Sequence, residues 1–192
     1  MTVSLSKICI FCGSSFGKNT QYKEQAQKLG KHLALNNIEL VYGGGNVGLM
    51  GELARSVLEG EGKVTGVIPK KLYDMVDHVE LTELHIVDNM HQRKAKMYDL
   101  ADGFIALPGG IGTLEELAEV FTWYQLGYHQ KPVGILNINN FFDSLMKFLG
   151  HMTHEGFLKH EHEEKLIIAN TAEELIDKML HHQAVKLDKW VK

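Results

Sequence analysis

Cysteine is nearly absent from this chain: 192 residues carry two, and both fall in the run KICIFCG (7–13). That run reads as a β-strand, where residues three apart point to opposite faces. Cys9 and Cys12 are therefore poorly placed for a disulfide or a CxxC redox pair, and read as buried or loop-edge thiols. Positive charge is not in excess either. The formal net charge is -4 and no Lys/Arg run exceeds two residues, which leaves no electrostatic footprint for nucleic acid. No apolar run approaches the roughly 18 residues that a membrane span requires, and MTVSLSKICIFCG lacks the charged and then apolar segments of a secretory leader. A cytoplasmic protein with neither a nucleic-acid nor a membrane partner is expected. Internal repeats, linkers and low-complexity segments are missing too. With 44% hydrophobic content, residues 1–192 are expected to form one domain around one core.

Histidine is plentiful, with eleven residues that include His151 and His154, His160 and His162, and the pair His181 and His182. None is accompanied by a nearby cysteine or a HExxH pattern, and HEHEEK reads as a solvated charged segment, so no metal is expected.

Apolar runs alternate with helical patterns along the whole chain, the signature of a parallel sheet covered by helices. Strands are predicted over 7–13, 38–44, 63–69, 81–87, 103–108, 132–137 and 165–170. Helices are predicted over 20–36, 47–59, 89–101, 114–126 and 141–154, and a last one opens at Thr171 with a capping-box pattern. The fold class expected is α/β: a single doubly wound, Rossmann-like parallel sheet with helices on both faces. Its ligand belongs at the carboxyl ends of the strands.

Three loops lie there, each between a strand end and a helix start, where backbone N–H groups and the helix dipole favour an anion. CGSSFG contributes Ser14, and GGGNVGLMG contributes Gly44. In the second loop, Gly43, Gly45 and Gly48 make a formal GxGxxG. The next strand ends in Pro69, Lys70 and Lys71 instead of a ribose-binding acid, and the first loop lacks the pattern, so classical dinucleotide binding is disfavoured. The third loop, PGGIGT, is stronger. Gly109, Gly110 and Gly112 remove side chains around N–H groups that can converge on a phosphate, with the Thr113 hydroxyl beside them.

Thr113 and Glu116 also have the spacing of a capping box, on which reading Glu116 only caps the helix. Against it, Glu116 shares its stripe with Val120 and Trp123, whereas Glu115, Glu119 and Thr122 form the polar stripe. On the preceding helix, Met90, Arg93, Met97 and Leu100 have the spacing of a buried face, interrupted by the charge of Arg93. A buried guanidinium needs an anionic partner. Either Glu116 or a phosphate in the PGGIGT loop would serve, and a purely structural ion pair stays open.

MHQRKAKM (90–97) together with PGGIGTLEE (108–116), an instance of PGGxGTxxE, resembles the Lonely Guy family of cytokinin riboside 5′-monophosphate phosphoribohydrolases. ICIFCGSSFG, LVYGGGNVGLMGELA, VTGVIPKKL, ADGFIALPGG and ELAEVFTWYQLGYHQKPVGILN extend the likeness over about 7–180, leaving a tail at 181–192. The resemblance implies hydrolysis of the N-glycosidic bond of adenosine 5′-monophosphates, plain or N6-modified, to free base and ribose 5-phosphate, with no metal or cofactor. It places the catalytic pair on Arg93 and Glu116. Substrate contacts fall on Met90, Lys94, Gly109, Gly110, Ile111, Gly112, Thr113, Leu114 and Glu115, with Ser14 and Gly44 from the other loops. Many relatives have a further acidic contact where this chain has Met75, with Asp74 and Asp77 as acidic neighbours. The resemblance also implies a homodimer in which one subunit completes the other's site, and the apolar side of the helix at 114–126, with Val120, Trp123 and Tyr124, suits a partner or the core. A non-catalytic nucleotide or cofactor carrier of the same fold is the alternative.

Overall fold

The computed structural model describes residues 4–75 and 80–183. Seven strands form one parallel sheet: β1 (Lys7–Phe11), β2 (Glu39–Tyr42), β3 (Val64–Pro69), β4 (Glu83–Val87), β5 (Gly103–Ala106), β6 (Val133–Leu136) and β7 (Leu166–Ala169). Their order is β4-β3-β2-β1-β5-β6-β7. A parallel strand covered on both faces has no wet side, so its sequence is a nearly continuous apolar run. All four residues of β5 and of β6 are buried.

Helices α1 (Thr20–Leu35), α2 (Gly48–Glu59) and α8 (Ala172–Leu180) cover one face, where Leu29, Leu33, Leu53, Val57, Leu175 and Met179 share a core with Ile8 and Ile10 of β1 and with Cys12 just beyond it. On the other, α4 (Met90–Leu100), α5 (Ile111–Gln125) and α6 (Asp143–His154) set Met97, Leu117, Val120 and Phe121 against Cys9, Phe11 and Phe104. Cys9 and Cys12 thus lie in separate cores, both free and buried. Two short helices, α3 (Lys70–Tyr73) and α7 (His160–Glu163), complete the set.

From β1 the chain passes through α1 to β2 on one side of the sheet, and from β5 through α5 to β6 on the other. The topological switch point, where such sheets open a ligand crevice, lies between β1 and β5. There the loops are laced together. The Gly13 N–H donates to the Pro108 carbonyl (3.1 Å), and the Leu49 N–H to the Gly13 carbonyl (3.0 Å). Gly48 holds φ at 54°, and a Cβ there would come within 2.3 Å of the Ser14 and Ser15 backbone. Glycine is what lets the first two loops touch.

Three expectations need correcting. Helix α5 starts at Ile111 with Gly110, extended at φ -92° and ψ -158°, as its N-cap. Thr113 is thus inside the first turn, packed on Gly109, and Thr113 with Glu116 is no capping box. The helix expected from 141 starts at Asp143, behind a 3₁₀ turn at Ile138–Asn140. Asn137 holds that turn by accepting from the Phe142 N–H and donating to Asp143, each at 2.8 Å. HEHE is helical, and His162 within it is 2% exposed. The Glu163 carboxylate there takes a bond from the Thr153 hydroxyl of α6, which ties the segment to the fold.

The cap expected at Thr171 is present, its hydroxyl accepting from the Glu174 N–H at 3.3 Å. Thr171→Ala is expected to lower stability by about 1 kcal/mol, read from the urea midpoint.

Candidate active site

The Arg93 guanidinium reaches the crevice because the cap on α4 points it there. Asn89 is the N-cap and accepts from the Gln92 N–H at 3.0 Å, which leaves Arg93 on the face turned to the sheet. Its Nη1 donates to Glu116 Oε1 at 2.9 Å, and both side chains are 11% exposed. Its Nη2 lies against Gly43 at the end of β2, where a Cβ would fall 2.0 Å away. Any side chain at 43 would evict the guanidinium. Arg93 Nε is buried with no hydrogen-bond partner in the protein. A buried donor left unpaired is costly, so this arginine is incompletely satisfied by the chain alone.

Burial pushes the Glu116 carboxyl above its usual range. Arg93 opposes that by its charge and its hydrogen bond, Glu115 adds to it and Lys94 subtracts. Burial, reinforced by Glu116, also pushes the Cys9 and Cys12 thiols up and keeps them neutral. The pair therefore sits in a partly apolar recess beneath the loops.

At the rim, α5 begins at Gly110 with no side chain capping it. The first N–H groups of a helix have no intrahelical partner, and here they open beside Gly110 and Gly112. A Cβ at either glycine would meet nothing within 4 Å. Nearby, a cavity of about 170 Å³ is walled by Phe16, Tyr22 and Phe141 and floored by Gly109 and Gly110. Gly17 holds φ at 69°, where a side chain is strained, and the Tyr22 ring lies 2.9 Å from its Cβ position. The arrangement offers an anion cradle, a ring-sized apolar recess and, one helical turn further along α5, a carboxylate held by an arginine.

The remaining predicted contacts are distributed unevenly. Ile111 is 83% and Leu114 39% exposed at the start of α5, and Ser14 is exposed on the first loop. Gly44 is buried at φ 76°, with the Ile68 side chain 3.0 Å from its Cβ position. Met90, the first residue of α4, is 46% exposed and so does not extend the buried face of Arg93 and Met97. Val120 and Tyr124 belong to the core, with Trp123 partly buried beside them. Met75 is 71% exposed at the end of α3, Asp74 is exposed beside it, and Asp77 lies outside the described residues. Among the described residues no group of three or more His, Cys, Asp or Glu is placed to hold a metal ion.

Lys94 does not point freely into the crevice. Its ammonium bonds Glu115 at 2.5 Å and Glu119 at 3.0 Å, and the Tyr98 hydroxyl donates to Glu119 at 2.6 Å. Partial burial works against the charge, but the bonds to the two carboxylates outweigh it and hold the lysine above its ordinary range. Helical periodicity assigned Glu119 to a polar stripe; that its partners come from α4 was not visible in it.

The two kinds of glycine should respond differently to alanine. Gly43→Ala is expected to cost about 1–3 kcal/mol through overpacking against Arg93, measured by chemical denaturation. Gly112→Ala, in open space within a helix, should leave stability unchanged or raise it by up to about 1 kcal/mol, while obstructing the cradle.

The family described as possible lysine decarboxylase matches residues 50–179. The chain is 50% identical to cytokinin riboside 5′-monophosphate phosphoribohydrolase LOG4 of Arabidopsis thaliana over 178 residues, 90% of this chain and 81% of the relative. It is 48% identical to cytokinin riboside 5′-monophosphate phosphoribohydrolase LOG of Oryza sativa subsp. japonica over 174 residues, 90% of this chain and 72% of the relative. Among solved structures, the molybdenum cofactor binding protein of Rippkaea orientalis superposes with a TM-score of 0.70 at 23% identity, covering 92% of this chain and 96% of that one. The molybdenum cofactor carrier protein of Chlamydomonas reinhardtii gives 0.69 at 18% identity, covering 93% and 100%. At these identities the likeness is one of fold.

Proposed function

The chain belongs to the Lonely Guy family of cytokinin riboside 5′-monophosphate phosphoribohydrolases, and we propose that Arg93, Glu116 and the Gly110–Thr113 helix start are its catalytic site. The reaction is hydrolysis of the N-glycosidic bond of adenosine 5′-monophosphates, with or without an N6 substituent. The observation that carries the site is the burial of one incompletely satisfied arginine and one carboxylate beside an uncapped helix start with two glycines facing open space.

The chemistry follows from charge. As the bond between C1′ and the base nitrogen breaks, its electron pair leaves with the base and positive charge builds on the ribose. Water adds to C1′ and its proton passes to the Glu116 carboxylate or to solvent, while the departing base nitrogen takes a proton from water, so neutral base and ribose 5-phosphate result. The Glu116 carboxylate stabilises the cationic ribose and orients or deprotonates the water. The 5′-phosphate sits on the N–H groups at the start of α5, so binding energy remote from the reacting carbon positions it. Arg93 holds Glu116 and contacts phosphate or ribose. A guanidinium does not release its proton in proteins, so Arg93 is not the acid for the departing base. No step calls for a metal or cofactor. Decarboxylation through a lysine Schiff base finds no support at Lys94, which is charged and bonded to two carboxylates.

A homodimer fits the surface between α5 and α6. Leu114, Phe121, Leu149 and Met152 line a groove of about 240 Å³, with Phe157 at its edge 87% exposed. Leu114 follows the cradle directly, so a second copy seated here would border the substrate. Phe157→Ser is expected to shift sedimentation from dimer towards monomer.

Incubation with AMP and with isopentenyl-AMP, followed by chromatography of free base, tests the activity. Wild-type protein is expected to release base, and Glu116→Gln, which keeps a partner for Arg93, to lose roughly 10²-fold or more in kcat. Tight AMP binding without release would point to a carrier. The working form of Glu116 is the carboxylate, so kcat should fall as pH drops through its raised pKa, above the usual range for glutamate.

A further inference from the structure

Resting on the phosphoribohydrolase reading, we propose that Arg55 is a positioning residue: by fixing the Asn46 side chain it holds the second glycine loop in the shape that seats Arg93 against Gly43.

The seat is demanding. Arg93 Nη2 occupies the place that a Cβ on residue 43 would take, so a shift of the Gly43 backbone displaces the guanidinium or leaves it loose, and Glu116 with it. Groups that work on a reacting carbon must be held to within about 0.5 Å. The loop itself has little stiffness. From 43 to 48 it reads GGGNVG, and glycine leaves a backbone more freedom than any other residue. Gly44 and Gly48 stand at φ 76° and 54°, and Val47, the N-cap of α2, makes no side-chain bond to the helix. Asn46 is the one polar side chain in the stretch.

That side chain is anchored. Asn46 Oδ1 accepts from Arg55 Nη1 on α2, and a guanidinium only donates, which fixes the end of the amide that faces it. Arg55 Nη2 donates to Glu52 Oε2 at 3.1 Å, one turn back on the same helix. Glu52 is fastened in turn to α1: its Oε1 accepts from Gln27 Nε2 at 2.5 Å, and the Lys23 ammonium lies 3.6 Å from Oε2. Gly51 clears the ground between them. A Cβ there would fall 2.8 Å from the Asn46 carbonyl carbon and from Oδ1, and 3.1 Å from Arg55 Nη1. The contacts therefore run from α1 through Glu52 and Arg55 to Asn46, and end in the loop whose first residue seats Arg93.

Folding alone does not call for this arrangement. The Arg55 side chain is 40% exposed, and an ion pair at that exposure adds little to stability. What it supplies is one direction for a loop made mostly of glycine.

For Arg55→Met, kcat on AMP is expected to fall roughly ten-fold, with the urea midpoint close to that of wild type. Asn46→Ala should lose as much, and the double variant no more than either single one, because the two residues act in series. Asn46→Asp keeps an oxygen for Arg55 and should retain most of the rate. Wild-type kcat in Arg55→Met would overturn the proposal, as would losses that add in the double variant. So would a fall in kcat matched by a fall in the urea midpoint, which would make the role structural. A loss in Asn46→Asp equal to that in Asn46→Ala would overturn it as well, because the amide N–H groups would then be touching substrate themselves. The ¹H–¹⁵N resonance of Arg93 Nε in unliganded protein reads the seat without turnover. If wild type releases no base yet that resonance moves in Arg55→Met and holds in Asn46→Asp, the activity assignment fails and the positioning stands. If it does not move in Arg55→Met, the positioning fails whatever the activity.

Discussion

The site depends on one desolvated contact, the Arg93 guanidinium against the Glu116 carboxylate. Taking both charges out of water costs several kcal/mol per ion, and the attraction between them repays it only with good geometry. Much of the surrounding construction supplies that geometry. The bare edge of Gly43 seats the guanidinium, the Asn89 cap fixes where α4 starts, and the Gly110 cap fixes where α5 starts. A hydrophobic pair of similar volume would fill the recess at no loss of stability in many proteins. A chain that keeps an arginine with an unpaired Nε there accepts an expense that folding does not require. The proposed substrate contact at Arg93 accounts for it.

Topology brings the parts of this contact together from distant sequence. Gly43 directly follows β2, Arg93 precedes β5, and Glu116 follows β5. Because β2, β1 and β5 are neighbours in parallel register, their carboxyl ends lie side by side, and the switch in direction after β1 leaves the space between the first and third loops unfilled. The Gly13 bond to Pro108 shows how close the loops come at the floor of that space. A parallel sheet has its loops at one edge by construction, so a cradle, an ion pair and an aromatic recess can share it without any long excursion of the chain.

The strands were legible because burial on both faces makes them apolar runs bounded by glycine, proline or charge, and all seven fall where that pattern put them. Arg93 and Glu116 were legible for the converse reason: each is a charge inside an apolar stripe, and such a charge must have a partner. The start of α5 was misread because Thr113 has the chemistry of a cap. Its hydroxyl instead packs against Gly109, 2.2 Å from that residue's Cβ position, and the backbone turns three residues earlier. Glu119 and His162 looked solvated because periodicity within one helix carries no information about what another element brings to it. Tyr98 hydrogen-bonds the first, and the second is buried on α7, a helix that contacts α6. The surface shared by α5 and α6 is apolar on both helices, which patterning alone could not divide between core and partner.

Glycine is the residue whose meaning changed most between sequence and structure. Gly43, Gly48 and Gly109 are each explained by what the protein itself puts there: an arginine, a neighbouring loop and a threonine hydroxyl. Gly110 and Gly112 have no such explanation. Neither has a positive φ, and neither would clash with any protein atom if it carried a methyl group. At Gly112, inside a helix, glycine costs stability relative to alanine. An unforced glycine at a helix start is favoured by something that must come closer to the backbone than a Cβ allows. On the proposed site that something is the substrate phosphate, held by the N–H groups at the start of α5, with the Glu116 carboxylate one turn away at the reacting carbon.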